Sequence, residues 1–361
     1  MIPIIQLPRF KNYTYLFLIG LFALTACKKN GTPAPKPTPV KSDTTITAID
    51  SNVYFIGTVT GNYPNNSTVP TFWKYGAANL IPNDLSTFGS TPYGIALNGT
   101  DVYMAGATHL GVYEIATIWK NGVASLLATT AAGSIAQAIT VNNNTVFTAG
   151  WQTVSNGSQQ ATSWANGIPT SVTPDNSTTS SNAFAIAIDG SDVYMAGFIF
   201  DSYKKYSEAV YWKNGTETIL STSQFSSQAN AIAVSGGNVY VAGYINGVAT
   251  LWTNGVAVPL TNSPLTSMAN AIAISGSDVY VSGYVNGAAA YWKNGVMTTL
   301  QGSQTGLPFG VVANAIAING TDLYVGGGYD PLGNTIYWKN GTAIKLTKGL
   351  GIIFGIAVVP H

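Results

Sequence analysis

The sequence predicts an all-β fold: a seven-bladed β-propeller of four-stranded antiparallel blades, with the ring closed by the C-terminal strand. Three observations predict it. The stretch from Ala229 to Leu260, ANAIAVSGGNVYVAGYINGVATLWTNGVAVPL, is followed from Ala269 to Leu300 by a copy that agrees at 20 of 32 positions, and weaker copies run from about Ile46 to His361. A tryptophan near the end of the third run recurs as Trp73, Trp119, Trp164, Trp212, Trp252, Trp292 and Trp338, seven markers spaced 40 to 48 residues apart. Finally, IIFGIAVV (Ile352 to Val359) matches the opening run of a unit but has no unit after it.

Each unit divides into four runs of four to seven residues rich in Val, Ile, Tyr and Ala, which favours strands over helices. In the copy at Ala269 these are ANAIAI, DVYVSGY, AAAYW and VMTTL. Ser275-Gly276-Ser277-Asp278 makes the first turn, where Gly relieves backbone strain and Asp can bond nearby amides. Asn286-Gly287 joins the second run to the third, and Asn294-Gly295 the third to the fourth. Asn-Gly is a strong hairpin signal because a two-residue type I′ turn needs positive φ at both central residues. One unit is therefore a four-stranded meander.

A meander of about 40 residues cannot bury both of its faces alone, so it needs a neighbour on each side. Radial repetition meets that demand, since every sheet then packs between two others. The first unit supplies NVYFIGTV (Asn52 to Val59) as a second strand and TFWKYG (Thr71 to Gly76) as a third, but only TITAID (Thr45 to Asp50) as a loose leading strand. The unmatched C-terminal run resolves the mismatch. It completes the first blade, joins the two chain ends non-covalently and removes an open sheet edge.

Ahead of the repeats, residues 1–26 read as a targeting segment. Arg9 and Lys11 form a basic start, and the apolar run Thr14 to Ala26 is too short for a convincing membrane-spanning helix. Leu24-Thr25-Ala26-Cys27 resembles the lipobox of bacterial lipoproteins, and Cys27 is the only cysteine. That resemblance implies lipidation of Cys27 and a membrane anchor; an ordinary signal peptide with an incidental cysteine is the alternative. Lys28 after the cysteine leaves out the aspartate that favours inner-membrane retention, so outer-membrane placement is expected, on the periplasmic or the cell-surface face. Residues 27–45, rich in Pro, Lys and Thr, read as a lipidated cysteine and an extended tether, and 46–361 as the propeller.

Beyond residue 45 the chain holds nine Lys, no Arg and 13 Asp plus Glu, which speaks against nucleic acid as a partner. His109 and His361 are the only histidines, so neither a catalytic triad nor a histidine-based metal site is expected, and no cofactor is called for. The aspartates Asp101, Asp192, Asp278 and Asp322 share one turn position and read as turn caps. Lys120, Lys213, Lys293 and Lys339, each following a tryptophan, read as solvated hairpin residues.

Candidate binding residues come from one face. The segments between second and third strands are bare Asn-Gly turns in blades five and six. They are long in blades one to four and seven: Thr60 to Pro70, Thr108 to Glu114, Gln152 to Gln160, Ile199 to Glu208 and Tyr329 to Asn334. Long loops beside a low sector make a groove, and loops of this kind carry binding. On the same face, equivalent leading-strand positions give a ring of Tyr93, Gln137, Phe184, Asn230, Asn270, Asn314 and Phe354. Aromatic faces beside amides suit a neutral polar ligand such as a sugar; the alternative is that they plug the channel and bond backbone. Trp151, Tyr203, Tyr206 and Tyr329 are further loop aromatics, open to either reading. Glu114, Glu208, Asp201 and Asp330 lie on the same loops, but no pairing of them is evident, and a glycosidase needs two carboxylates across a cleft.

The unit A-x-A-I-x-x-x-G-x-x-V-Y-V-x-G-Y, followed by Y-W-K-N-G and a final Leu, resembles the bacterial extracellular β-propeller repeats of the HAF and SBBP kind. The resemblance implies a propeller on surface or secreted proteins and assigns no activity. The expectation is a monomeric, lipid-anchored, non-enzymatic propeller that binds a glycan or an envelope protein through its loop-rich face. A structural module of an envelope complex is the alternative, and a carboxylate-dependent glycan-active enzyme a third reading.

Overall fold

In the computed structural model the described residues are 52–60, 68–74, 76–81, 89–127, 133–173, 179–262, 266–302, 311–329, 334–348 and 351–359. The targeting run, Cys27, the tether and TITAID lie outside them. Contacts divide the chain after Thr45, and all the strands belong to the unit Ile46–His361.

Among the described residues, 28 strands form seven four-stranded antiparallel sheets. Blade five is representative, with strands Ser227–Ser235, Asn238–Ile245, Val248–Thr253 and Val256–Pro259. Blade one combines Gly351–Val358 with Val53–Thr60, Thr68–Lys74 and Ala77–Leu80, so the expected closure by the C-terminal strand is observed. That strand pairs from Val53↔Val358 to Val59↔Gly351. The leading strands touch one another in cyclic order around the axis, and outermost strands such as Val256–Pro259 and Val296–Thr299 are exposed. Asn246 (φ 50°) with Gly247 (72°), and Asn254 (50°) with Gly255 (83°), adopt the left-handed pair that a type I′ turn demands.

At the opposite tips the aspartates belong to a repeated lattice that ties two hairpins together, and the turn N–H is capped by an asparagine. Asn294 Oδ1 accepts the Val279 N–H at 2.8 Å and its Nδ2 donates to Asp278 at 2.7 Å. Lys293 Nζ lies 2.8 Å from Asp278 and 5.2 Å from the centre of the Tyr280 ring. The same ion pair recurs as Lys120–Asp101, Lys213–Asp192 and Lys339–Asp322. The lysines are thus part of this lattice, which corrects their reading as merely solvated: each has both a carboxylate and a tyrosine face within reach.

All seven marker tryptophans are at most 1 % exposed. Each sits in its own apolar cluster, which joins two blades. Trp252 packs against Leu220, the end of blade four, and Trp73 against Leu346 of blade seven, so the seventh interface is built like the others. A polar latch accompanies this packing. Where the fourth strand of blade four peels away, Leu220 N still bonds Ala209 O, but the reverse bond is absent. The carbonyl of Leu220 accepts the Trp252 indole N–H at 3.0 Å, and Ala209 N–H donates to Ser227 Oγ at 2.9 Å, both partners belonging to blade five. Ser134, Ser181 and Ser267 accept Ala116, Ala161 and Ala249 N–H in the same way. At blade two the equivalent backbone group is Pro70, which has no N–H, and Ser90 bonds Thr108 instead.

Candidate functional site

The face carrying the second-to-third hairpins also receives the start of every leading strand, as the bonds from Asn246 N to Ser226 O and from His109 N to Gly89 O show. Its relief differs from the expected loops. In blade two the strands Asp101–Leu110 and Tyr113–Lys120 leave only Gly111 and Val112 between them, and Leu110↔Tyr113 still pair. In blade three the ladder extends to Thr153↔Gln159, and in blade four to Phe200↔Ser207. Most residues expected as loops are therefore hairpin extensions, because backbone pairing continues past the rungs where blades five and six turn. The corresponding segments of blades one and seven lie largely outside the described residues, including Asp330.

The seven ring residues share one structural cause. The register between leading and second strands shifts at each of them, between Pro92 and Gly94, Ala136 and Ala138, Ala183 and Ala185, Ala229 and Ala231, Ala269 and Ala271, and Ala313 and Ala315, with the equivalent shift at Phe354. Each is thus the extra residue of a β-bulge, which re-aims its side chain. The bulge also explains the glycine of V-Y-V-x-G: a Cβ on Gly243 would overlap the carbonyl oxygen of Gln228, and Gly283 meets Met268 likewise.

The amides bond backbone. Asn230 Nδ2 donates to Ala269 O at 2.8 Å, Asn270 to Ala313 O at 3.1 Å and Asn314 to Ile353 O at 3.1 Å, lacing blades five, six, seven and one together. Tyr93 and Phe354 face each other with ring centres 5.8 Å apart, and Phe184 packs on Phe198 at 5.7 Å. Burial pushes the Tyr93 hydroxyl up to about 12, with the charge of Glu114 adding to the effect. Gln137 is half-buried at its bulge. For the asparagines, the backbone-bonding alternative describes the contacts.

Of the loop aromatics, Trp151 lies within the strand Thr145–Thr153, paired with Ala161 and Ile135, and is half-buried; this corrects its placement on a loop. Tyr203 is 80 % exposed at the tip of the blade-four hairpin, while Tyr206 in the same hairpin is half-buried. Tyr329 ends the strand Asp322–Tyr329.

Beneath the blade-four hairpin, and bounded on one side by Thr173 from the end of blade three, is a cavity of about 260 Å³. Ile199, Val210 and Ile219 form its apolar wall, and Asp201, Lys204, Glu208 and Glu217 bring charge to it. Lys204 Nζ bonds Glu208 Oε2, whose side chain is only 10 % exposed, and this contact holds the lysine above its ordinary range. Asp201 accepts the Tyr203 N–H at 2.8 Å, which shapes the turn that lifts Tyr203. Thr173 and Ser181 hydroxyls are 2.8 Å apart. Burial raises the Glu217 carboxyl above the usual range; the charge of Glu208 adds to this, and the nearby Trp212 indole N–H opposes it.

Asp201 and Glu208 were both visible on one hairpin; the structure brings them to one pocket. Lys204 lies on that same hairpin, whereas Glu217, Ser181 and Thr173 had no sequence signal, because the fourth strand and the leading strand of blade four and the end of blade three bring them in. Among the described residues no three His, Cys, Asp or Glu side chains converge as a metal site. The arrangement can bond hydroxyls and charged groups of a small ligand.

No protein-family model and no curated protein matches the sequence. Solved structures do match the fold. Two crystal structures of puromycin hydrolase, one a mutant complexed with PGG, give a TM-score of 0.58 at 12 % and 11 % identity, over 83 % and 84 % of this chain and 52 % and 53 % of theirs. The acylaminoacyl peptidase of Pyrococcus horikoshii gives 0.48 at 14 % identity, over 82 % of this chain and 51 % of its own. The chain therefore spans about half the length of these proteins, and at such identities the likeness is one of fold.

Proposed function

We propose that the protein is a lipid-anchored cell-envelope propeller, of the bacterial extracellular repeat kind, that binds a glycan through its raised hairpin face. The observation that carries this reading is the pocket under the blade-four hairpin. Hydroxyls, an ion pair and an apolar wall line a space just below the roughly 300–1,000 Å³ of sites for drug-sized ligands, which suits a single sugar ring. Tyr203 at the hairpin tip offers an exposed aromatic surface of the kind sugars stack on. Glu208 is tied to Lys204, which favours binding over nucleophilic cleavage. The anchor is Cys27, with the tether after it setting the propeller off the outer membrane.

A glycan array probed with the full chain tests the binding. Retention on a sugar is expected, with loss in a Tyr203→Ala, Lys204→Ala variant; silence across the array defeats the reading. Metabolic labelling with a fatty acid tests the anchor: label is expected on the wild type and absent from Cys27→Ser. A second reading, an assembly module of an envelope complex, draws on the exposed apolar edge strands of blades five and six, where Val256 is 67 % and Val296 71 % exposed. Capture of a defined envelope protein, abolished by Val256→Lys, Val296→Lys, would support it.

A further inference from the structure

We propose that the pocket between blades three and four selects a sugar bearing a free, positively charged amino group, a hexosamine residue, over neutral or anionic sugars. This rests on the glycan reading above and sharpens it to a ligand class. Three carboxylates, Asp201, Glu208 and Glu217, line the pocket with one ammonium, Lys204, and that ammonium is already bonded to Glu208. Among the described residues neither Asp201 nor Glu217 has an ion-pair partner. Uncompensated charge of one sign in a concave, partly desolvated site focuses potential and concentrates the opposite charge.

Trp252, Trp292 and Trp338 donate their indole N–H to the end of the preceding blade. Trp212, fully buried, makes no such bond, as Trp73 and Trp164 also do not, and its indole N–H lies on the side of Glu217, where it favours the carboxylate. The two remaining carboxylates, one on the hairpin and one on the outermost strand, border a space of about 260 Å³. Thr173 and Ser181 supply hydroxyls to the same space, which favours a sugar ring over a lysine side chain. Phosphorylated, sulfated or uronic sugars would meet like charge, and an N-acetylated amine carries none.

Calorimetry of the full chain with glucosamine oligomers and N-acetylglucosamine oligomers of equal length tests the proposal. The free amine is expected to bind at least tenfold tighter. Asp201→Asn, Glu217→Gln should erase that preference without lowering the melting temperature, and Asp278→Asn, in the lattice at the opposite tips, should leave it intact. Equal affinity for the two oligomers, or a preference that survives the double substitution, overturns the amine inference and leaves sugar binding standing. Failure of both oligomers while another glycan binds also overturns it, whereas failure of every glycan takes the underlying reading with it. Trilysine bound more tightly than glucosamine would assign the site to a protein side chain and overturn the sugar.

Discussion

Blades five and six differ from blades two to four in what varies between them. In the former pair the hairpins end at bare Asn246-Gly247 and Asn286-Gly287 turns, and their sequences nearly repeat. In blades two to four the same ladders run on for further rungs and carry Glu114, Trp151, Tyr203 and Glu208. Yet the blade-to-blade contact is alike in both sectors: one buried tryptophan on the terminal aliphatic residue of the preceding blade, with serine and indole bonds across the gap where that structure allows them. The repeat signature therefore encodes how blades hold one another, and the departures from it encode what the face presents.

The largest effect should come from removing what both sectors depend on. A chain lacking Gly351 to His361 leaves Val53–Thr60 without its inner partner, and no cooperative melt at the full-length temperature is expected by circular dichroism. Next, Trp252→Ala in the regular sector should cost roughly 3 to 5 kcal/mol in urea unfolding, as truncations of large buried aromatics do. The two sectors can be set against each other here. Trp252→Phe forfeits the bond to Leu220 and Trp164→Phe forfeits none, so the first should be worse by about 1 kcal/mol beyond the packing loss; equal losses would mean that the latch adds nothing. Gly243→Ala forces a methyl onto the Gln228 carbonyl and should cost about 1 to 3 kcal/mol. Ser227→Ala strands the buried Ala209 N–H, for about 1 to 3 kcal/mol, whereas Ser90→Ala faces Pro70 and should cost clearly less.

The smallest expected effect concerns the exposed lattice at the hairpin tips. Lys293 foremost, and Asn294 after it, hold the Asp278 carboxyl below its ordinary range. A depressed carboxyl contributes stability above its unfolded pKa and loses it as pH falls through the folded value. Carbon-detected NMR should therefore show Asp278 titrating upward toward the ordinary range in Lys293→Met, with little change in melting temperature, since exposed pairs contribute little.

The architecture was legible because it is written redundantly. Seven tryptophans, paired Asn-Gly turns and an orphan terminal strand each point to the same ring. The bulges were half legible: aligning leading strands picked out Tyr93 through Phe354, but their re-aimed direction depends on a register shift that no local pattern announces. The latch serines were passed over because serine at a strand start reads as ordinary polar filling; only the peeled fourth strand gives Ser227 a buried N–H to satisfy. The pocket was least legible. Glu208 and Glu217 lie on separate strands, and Thr173 on another blade, so their meeting depends on pairing and packing.

The first blade has a consequence in time as well as space. Val53 waits for Val358, so the pairing closes a loop of roughly 300 residues, at an entropic cost of about 5 kcal/mol by the logarithmic length term alone. Six blades can form from neighbours in sequence, but the last interface forms only after Gly351–Val358 is made. The closing strand thereby acts as a late clasp: a copy without Gly351–Val358 keeps an unpaired edge on Val53–Thr60 and leaves Phe55 and Tyr337 without their Ile353 contact, exposing the kind of edge that invites wrong pairing.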